Sequence, residues 1–213
     1  MTKEEYESIL TGNFVLFRFR YNELSFEQHL EIADAWDEKW PIQRQYNLDG
    51  LKHGFSILKE DLYIVELGAH DGSLGLEILG NYGNIISWNG YDICSKAISR
   101  SYTSNRYKPI LLKNWFHNIK LPFFNTFLSS HTLEHLSDDR VLATFDKVSI
   151  AKYLILDTPL EEYGQDWAGY HASHVLKSGK RDLDRWLEER GFNKLKEITE
   201  TMSIWENKKK ERI

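Results

Sequence analysis

Hydrophobic and polar positions divide the chain near residue 60. Beyond Asp61, short apolar runs alternate with stretches of helical period. Residues 62–67 and 86–92 read as strands, with 74–79 as the core of a helix between them. Residues 95–102 read as a helix capped by Ser95, 108–112 and 126–129 as short strands, and 138–148 as another helix. Tyr153–Asp157, YLILD, is a near-continuous apolar run of the kind that lies buried on both faces of a parallel sheet. A helix over 181–190 closes at Gly191, and two last strand-like runs, 194–199 and 203–206, follow with no helix between them. This alternation predicts an α/β fold, a doubly wound, mostly parallel Rossmann-like sheet. The closing pair should form an antiparallel hairpin at or near a sheet edge.

Residues 1–58 carry a different pattern and read as an N-terminal helical extension, a cap on a main domain spanning 59–213. FVLFRF, residues 14–19, is strand-like. Ser25 and Gln28 have the spacing of a capping box. After them Phe26, Leu30, Ala33 and Trp36 or Trp40 recur at helical spacing until Pro41 stops the helix. An apolar stripe of this kind packs a helix against the main domain.

Composition narrows the class. The chain has 213 residues, 41% hydrophobic and 14% aromatic, enough for one well-filled core without staples. A net charge of −5 argues against a nucleic-acid partner. One cysteine, Cys94, allows neither an intrachain disulfide nor a cysteine-based zinc site. MTKEEYESIL carries acids where a signal peptide needs basic residues, and no apolar run is long enough to span a membrane. These features predict a soluble, cytoplasmic protein with no membrane partner; oligomeric state is not encoded in them.

Chemistry concentrates in VELGAHDGSLG, residues 65–75, a glycine-bearing turn after the first core strand. Gly68 and Gly72 allow a sharp turn and a close approach to a ligand. Glu66 ends the strand toward the same cleft, and Asp92 ends the next strand, placed to accept hydrogen bonds from both hydroxyls of a ribose. A dinucleotide fingerprint would need glycine where His70 stands, and Asp71 puts a negative charge where a pyrophosphate would sit. No Gly-Lys-Ser/Thr follows, so a P-loop is excluded as well. An adenosine cofactor without phosphate fits better.

Taken in order, these motifs resemble the class I S-adenosylmethionine-dependent methyltransferases, in their small-molecule branch, over about residues 61–206. VELGAHDGSLG resembles their first motif and GYDIC, residues 90–94, the second. NTFLSSHTLEHLSDD, residues 125–139, resembles the fourth strand and the segment after it, and ILDTP, residues 155–159, the fifth strand and its exit. The resemblance implies S-adenosylmethionine as cofactor and a small-molecule acceptor methylated on O or N. It implies that Glu66, Gly68, His70 and Gly72 surround the methionine end and ribose, that Asp92 binds the ribose hydroxyls, and that Ile93 packs on the adenine. Asn114 and Trp115 fall where an acid usually reads the adenine amino group, and Ser130 and His131 should lie beside the sulfonium. With φ negative, the His70 ring would point outward and its N–H could reach the cofactor carboxylate.

Transfer to a hydroxyl or protonated amine needs a base, for which His131 and His174 are the candidates. HTLEH, residues 131–135, also matches the H-x-x-E-H pattern of zinc hydrolases, which would use His131, Glu134 and His135 on one helix. His171 and His174, in a loop over 159–180, could instead be a surface pair or part of an acceptor pocket. A non-catalytic protein of the same fold is the remaining alternative.

Overall fold

A computed structural model describes residues 3–10, 24–39, 48–159 and 176–210. The strand-like run at 14–19, Trp40, Pro41, His171 and His174 lie outside the described residues. Helices α1 (Lys3–Leu10), α2 (Phe26–Lys39) and α3 (Leu48–Ile57) precede the sheet. Then follow β1 (Leu62–Leu67), α4 (Ser73–Leu79), β2 (Ile85–Asp92), α5 (Ser95–Arg100), β3 (Tyr107–Leu111), β4 (Thr126–Ser130), α6 (Asp138–Val148), β5 (Tyr153–Asp157), α7 (Lys180–Glu189), β6 (Phe192–Glu197) and β7 (Met202–Asn207).

The sheet order is β3-β2-β1-β4-β5-β7-β6. Strands β1 to β5 run parallel, and the closing hairpin joins with β7 antiparallel to β5 and β6 at the edge. Strand order reverses between β1 and β4, so the loops after these strands open a crevice at their carboxyl ends.

Alternation along each strand feeds two cores, one per face. Ile64 joins Phe55, Trp88, Ile155 and Ile204 on one side; Val65 joins Phe127, Phe145, Leu187 and Trp205 on the other. The capping box of α2 forms as the spacing predicts: Gln28 N–H donates to Ser25 Oγ at 3.3 Å and Ser25 N–H to Gln28 Oε1 at 2.9 Å. The cap of α5 is one residue earlier than Ser95. Cys94 takes that place, its sulfur accepting from Ala97 N–H at 3.4 Å. Ser95 is free to turn its hydroxyl onto Asp34 of α2. No helix among the described residues is long and apolar enough to cross a membrane.

Candidate cofactor and catalytic site

The loop after β1 is set by three positive φ angles at alternate positions: 88° at Gly68, 50° at His70 and 73° at Gly72. His70 therefore adopts a left-handed conformation that glycine takes more readily. A side chain with a Cβ holds that conformation at a cost of about 1–2 kcal/mol, and histidine is among the residues found there more often than most. The negative φ that would turn the ring outward is not found. His70 Nε2–H donates to Asp37 Oδ1 of α2 at 2.7 Å instead.

Packing explains the two glycines. A Cβ at Gly68 would lie 1.7 Å from Thr132 Oγ1, and one at Gly72 2.4 Å from the Tyr107 hydroxyl. Their missing side chains make room for other parts of the protein, so the glycine pair is weaker evidence for a ligand than the sequence suggests. Glu66 also differs from its expected aim. It is 2% exposed and turned into the core, where Trp88 Nε1–H donates to its Oε2 at 2.8 Å. Burial raises its pKa to about 7, with the Trp88 hydrogen bond opposing.

Asp92 ends β2 partly buried. Its Oδ2 accepts the His70 backbone N–H and its Oδ1 the Cys94 backbone N–H, each at 2.7 Å. Burial raises its pKa and these backbone donors oppose the rise. A carboxylate has about four acceptor positions, so two hydroxyl donors can still be received. Ile93 is half-buried at the edge of one core. Trp115 is held by α2, edge-on to Phe26 and His29, with the Arg140 guanidinium 3.5 Å from its ring centre. Exposed Asn114 turns its Oδ1 back onto Trp115 N–H, at 2.7 Å, and onto Asn118.

On the other side of the crevice, Ser130 Oγ–H donates to Asp157 Oδ2 at 2.9 Å and Thr201 Oγ1–H to Asp157 Oδ1 at 2.7 Å. Asp157 is wholly buried at the end of β5, and His131, 48% exposed and left-handed at φ 50°, places Nε2 3.4 Å from it. Nδ1 of the same ring is 3.7 Å from the buried Glu134. Sequence reading missed Asp157, whose only signal is an acid closing an apolar strand, and Asp37, which resembles any acid on a helix.

The zinc-hydrolase arrangement does not form. His131 lies outside any helix, and Leu133–His135 is a single 3-10 turn, so the two histidines do not share a helix face. Among the described residues, only Asp37, His70 and Cys94 bring three possible ligand atoms within 4.8 Å of one another. Arg100 already holds Asp37 through both terminal nitrogens, at 2.7 and 2.8 Å, and burial pushes the Cys94 thiol up to about 12. A guanidinium on the carboxylate and a protonated thiol make this an ion-pair cluster unsuited to a cation.

The strand order, the closing hairpin and the helices on both faces are those of the class I S-adenosylmethionine-dependent methyltransferase fold. No family model matches the chain, and no curated protein matches it in sequence. Solved structures do match. PigF, solved with SAH, is 12% identical with a TM-score of 0.66, over 96% of this chain and 69% of that one. Human N-acetylserotonin methyltransferase, in complex with SAM, is 15% identical with a TM-score of 0.61, over 96% of this chain. This chain spans 66% of that enzyme's length. The small RNA methyltransferase HEN1 is 16% identical with a TM-score of 0.57, over 78% of this chain and 25% of that one. The fold thus serves small-molecule and RNA acceptors alike, and the acceptor must be argued from the site.

Proposed function

We propose that the protein is an S-adenosylmethionine-dependent methyltransferase acting on an O or N atom of a small molecule. One observation carries this reading. The parallel order β2-β1-β4 brings a ribose-competent acid, Asp92, and an exposed histidine, His131, to the same rim, two strand spacings or about 10 Å apart. That distance suits an adenosine cofactor held at one end and a base at the other.

Residues present on the rim fit the cofactor. Asp92 would take the ribose hydroxyls, Ile93 and Trp115 would flank the adenine, and the 68–72 loop with Ser130 would face the methionine end. The bound cofactor supplies a methyl group already activated as a sulfonium, so the protein's tasks are alignment, exclusion of water and proton removal. His131 takes the acceptor proton. Its imidazolium then sits between the buried carboxyl groups of Asp157 and Glu134, which stabilise it. The small-molecule class follows from the net charge of −5, which repels a polyanion.

The test is a thermal melt with S-adenosylmethionine or S-adenosylhomocysteine. Ligand at a hundredfold its dissociation constant adds about 2.7 kcal/mol, a rise of roughly 5–10 °C for a chain of this size. No rise at millimolar ligand would remove the reading. A second reading, a non-catalytic binding or scaffold protein of the same fold, is favoured by one observation: Asn114, at the position where the adenine would be read, turns its amide oxygen onto its own chain. Binding without turnover of any acceptor would support it.

A further inference from the structure

The side chain at position 70 makes contacts that no glycine could make. Asp37, only 4% exposed, receives the His70 ring at 2.7 Å and the Arg100 guanidinium at 2.7 and 2.8 Å. One turn earlier on the same helix, Ala33 C=O accepts the Cys94 thiol at 3.7 Å, and Asp34 accepts the Ser95 hydroxyl and the Lys96 backbone N–H. His70 and Cys94 also donate their backbone N–H groups to the two oxygens of Asp92. These two donors to the Asp92 carboxylate are therefore anchored through their own side chains to α2. The helix lies across the ends of three strands, touching His70 after β1, Cys94 after β2 and Trp115 after β3.

We propose that Asp37 is a positioning residue for the cofactor site, closing a clasp with His70 and Arg100 that makes docking of α2 and binding of the adenosine cofactor one coupled equilibrium. The proposal rests on the methyltransferase reading. Where a glycine would leave the loop's conformation to its own turn, histidine hands part of that control to a separate helix. Coupling is reciprocal: cofactor held by Asp92 tightens α2, and α2 in place tightens the cofactor.

The experiment compares wild type, H70G, D37N and the double variant. H70G is the decisive one, because glycine suits φ 50° at least as well as histidine and the loop keeps its path. D37N keeps the side-chain volume and loses the charge. Isothermal titration with S-adenosylhomocysteine should show each single variant about 5- to 150-fold weaker, the usual span of coupling between sites. The double variant should be no weaker than the weaker single, since both break one clasp. Hydrogen exchange of the α2 amides in ligand-free protein should quicken in all three.

H70G that binds as tightly as wild type, or more tightly, would overturn the proposal. So would additive losses in the double variant. Wild type that binds no S-adenosylhomocysteine, while exchange in α2 still quickens in H70G and D37N, would sink the cofactor reading and the coupling with it, leaving the clasp as a purely structural tie.

Discussion

Gly68 and His70 both hold a positive φ under opposite constraints: a neighbour fills the Cβ position of the first, and a distant acid holds the ring of the second. Gly68→Ala should cost at least about 1–2 kcal/mol from the left-handed conformation alone, before Thr132 is displaced. Urea denaturation should show a lower midpoint with an unchanged slope; wild-type stability would mean that Thr132 can move aside. Glu66 gives a pH signature of its own. Its folded pKa, about 7, lies above the ordinary 4.5, so its contribution is complete below pH 4.5 and is lost as pH rises through 7. Glu66→Gln should remove a fall on the order of 3 kcal/mol across that window, seen as a flatter stability curve. His131→Ala should slow methyl transfer by about 10²–10⁴ with cofactor affinity kept, once an acceptor is in hand; full turnover would exclude His131 as the base. At this scale the sequence marks Asp92 as an acid closing a strand and His131 as a histidine just past one. It could not reveal that His70 answers to Asp37, since 33 residues of chain separate them.

The elements show where local pattern suffices and where it does not. Leu62–Leu67 and Tyr153–Asp157 are readable to the residue because burial on both faces leaves a near-continuous apolar run, broken only by Glu66 in the first and closed by Asp157 in the second. Helix α3 is hidden by two glycines, which lower helix propensity. Their use lies in the packing. A Cβ at Gly50 would sit 3.1 Å from the end of the Met202 side chain, which would have to give by a few tenths of an ångström, and one at Gly54 would meet Ile204 at 3.4 Å, an ordinary contact, so the helix lies close on β7. Helix α2 carries a pH dependence through His29, buried against Trp115. Burial, then Arg140 and His135, lowers its pKa from 6.5 to about 3. A lowered folded value means that docking is complete above pH 6.5 and weakens as pH falls toward 3. Protection factors for amides of α2 should fall as pH drops from 6.5 to about 3, and His29→Gln should flatten that fall; equal profiles would show that another group governs acid release.

Across the whole molecule, β7 closes both cores from the antiparallel end of the sheet. Trp205 is buried on one face, donating its indole N–H to Ser203 at 2.9 Å, while Met202 and Ile204 fill the other. Trp205→Ala should cost about 3–5 kcal/mol and lower the melting temperature by about 10 °C; a loss below about 1 kcal/mol would mean that the core collapses to fill the gap. The sheet order has a consequence for synthesis. As the chain leaves the ribosome, β1 to β5 can assemble while β5 still presents a bare line of N–H and C=O groups. The strand that covers this line is made about 45 residues after β5 ends, some seconds later at ordinary elongation rates. For those seconds the nascent protein is a half-closed sheet open to pairing with its neighbours on the same message, and a chaperone that shields an exposed strand would have its moment there.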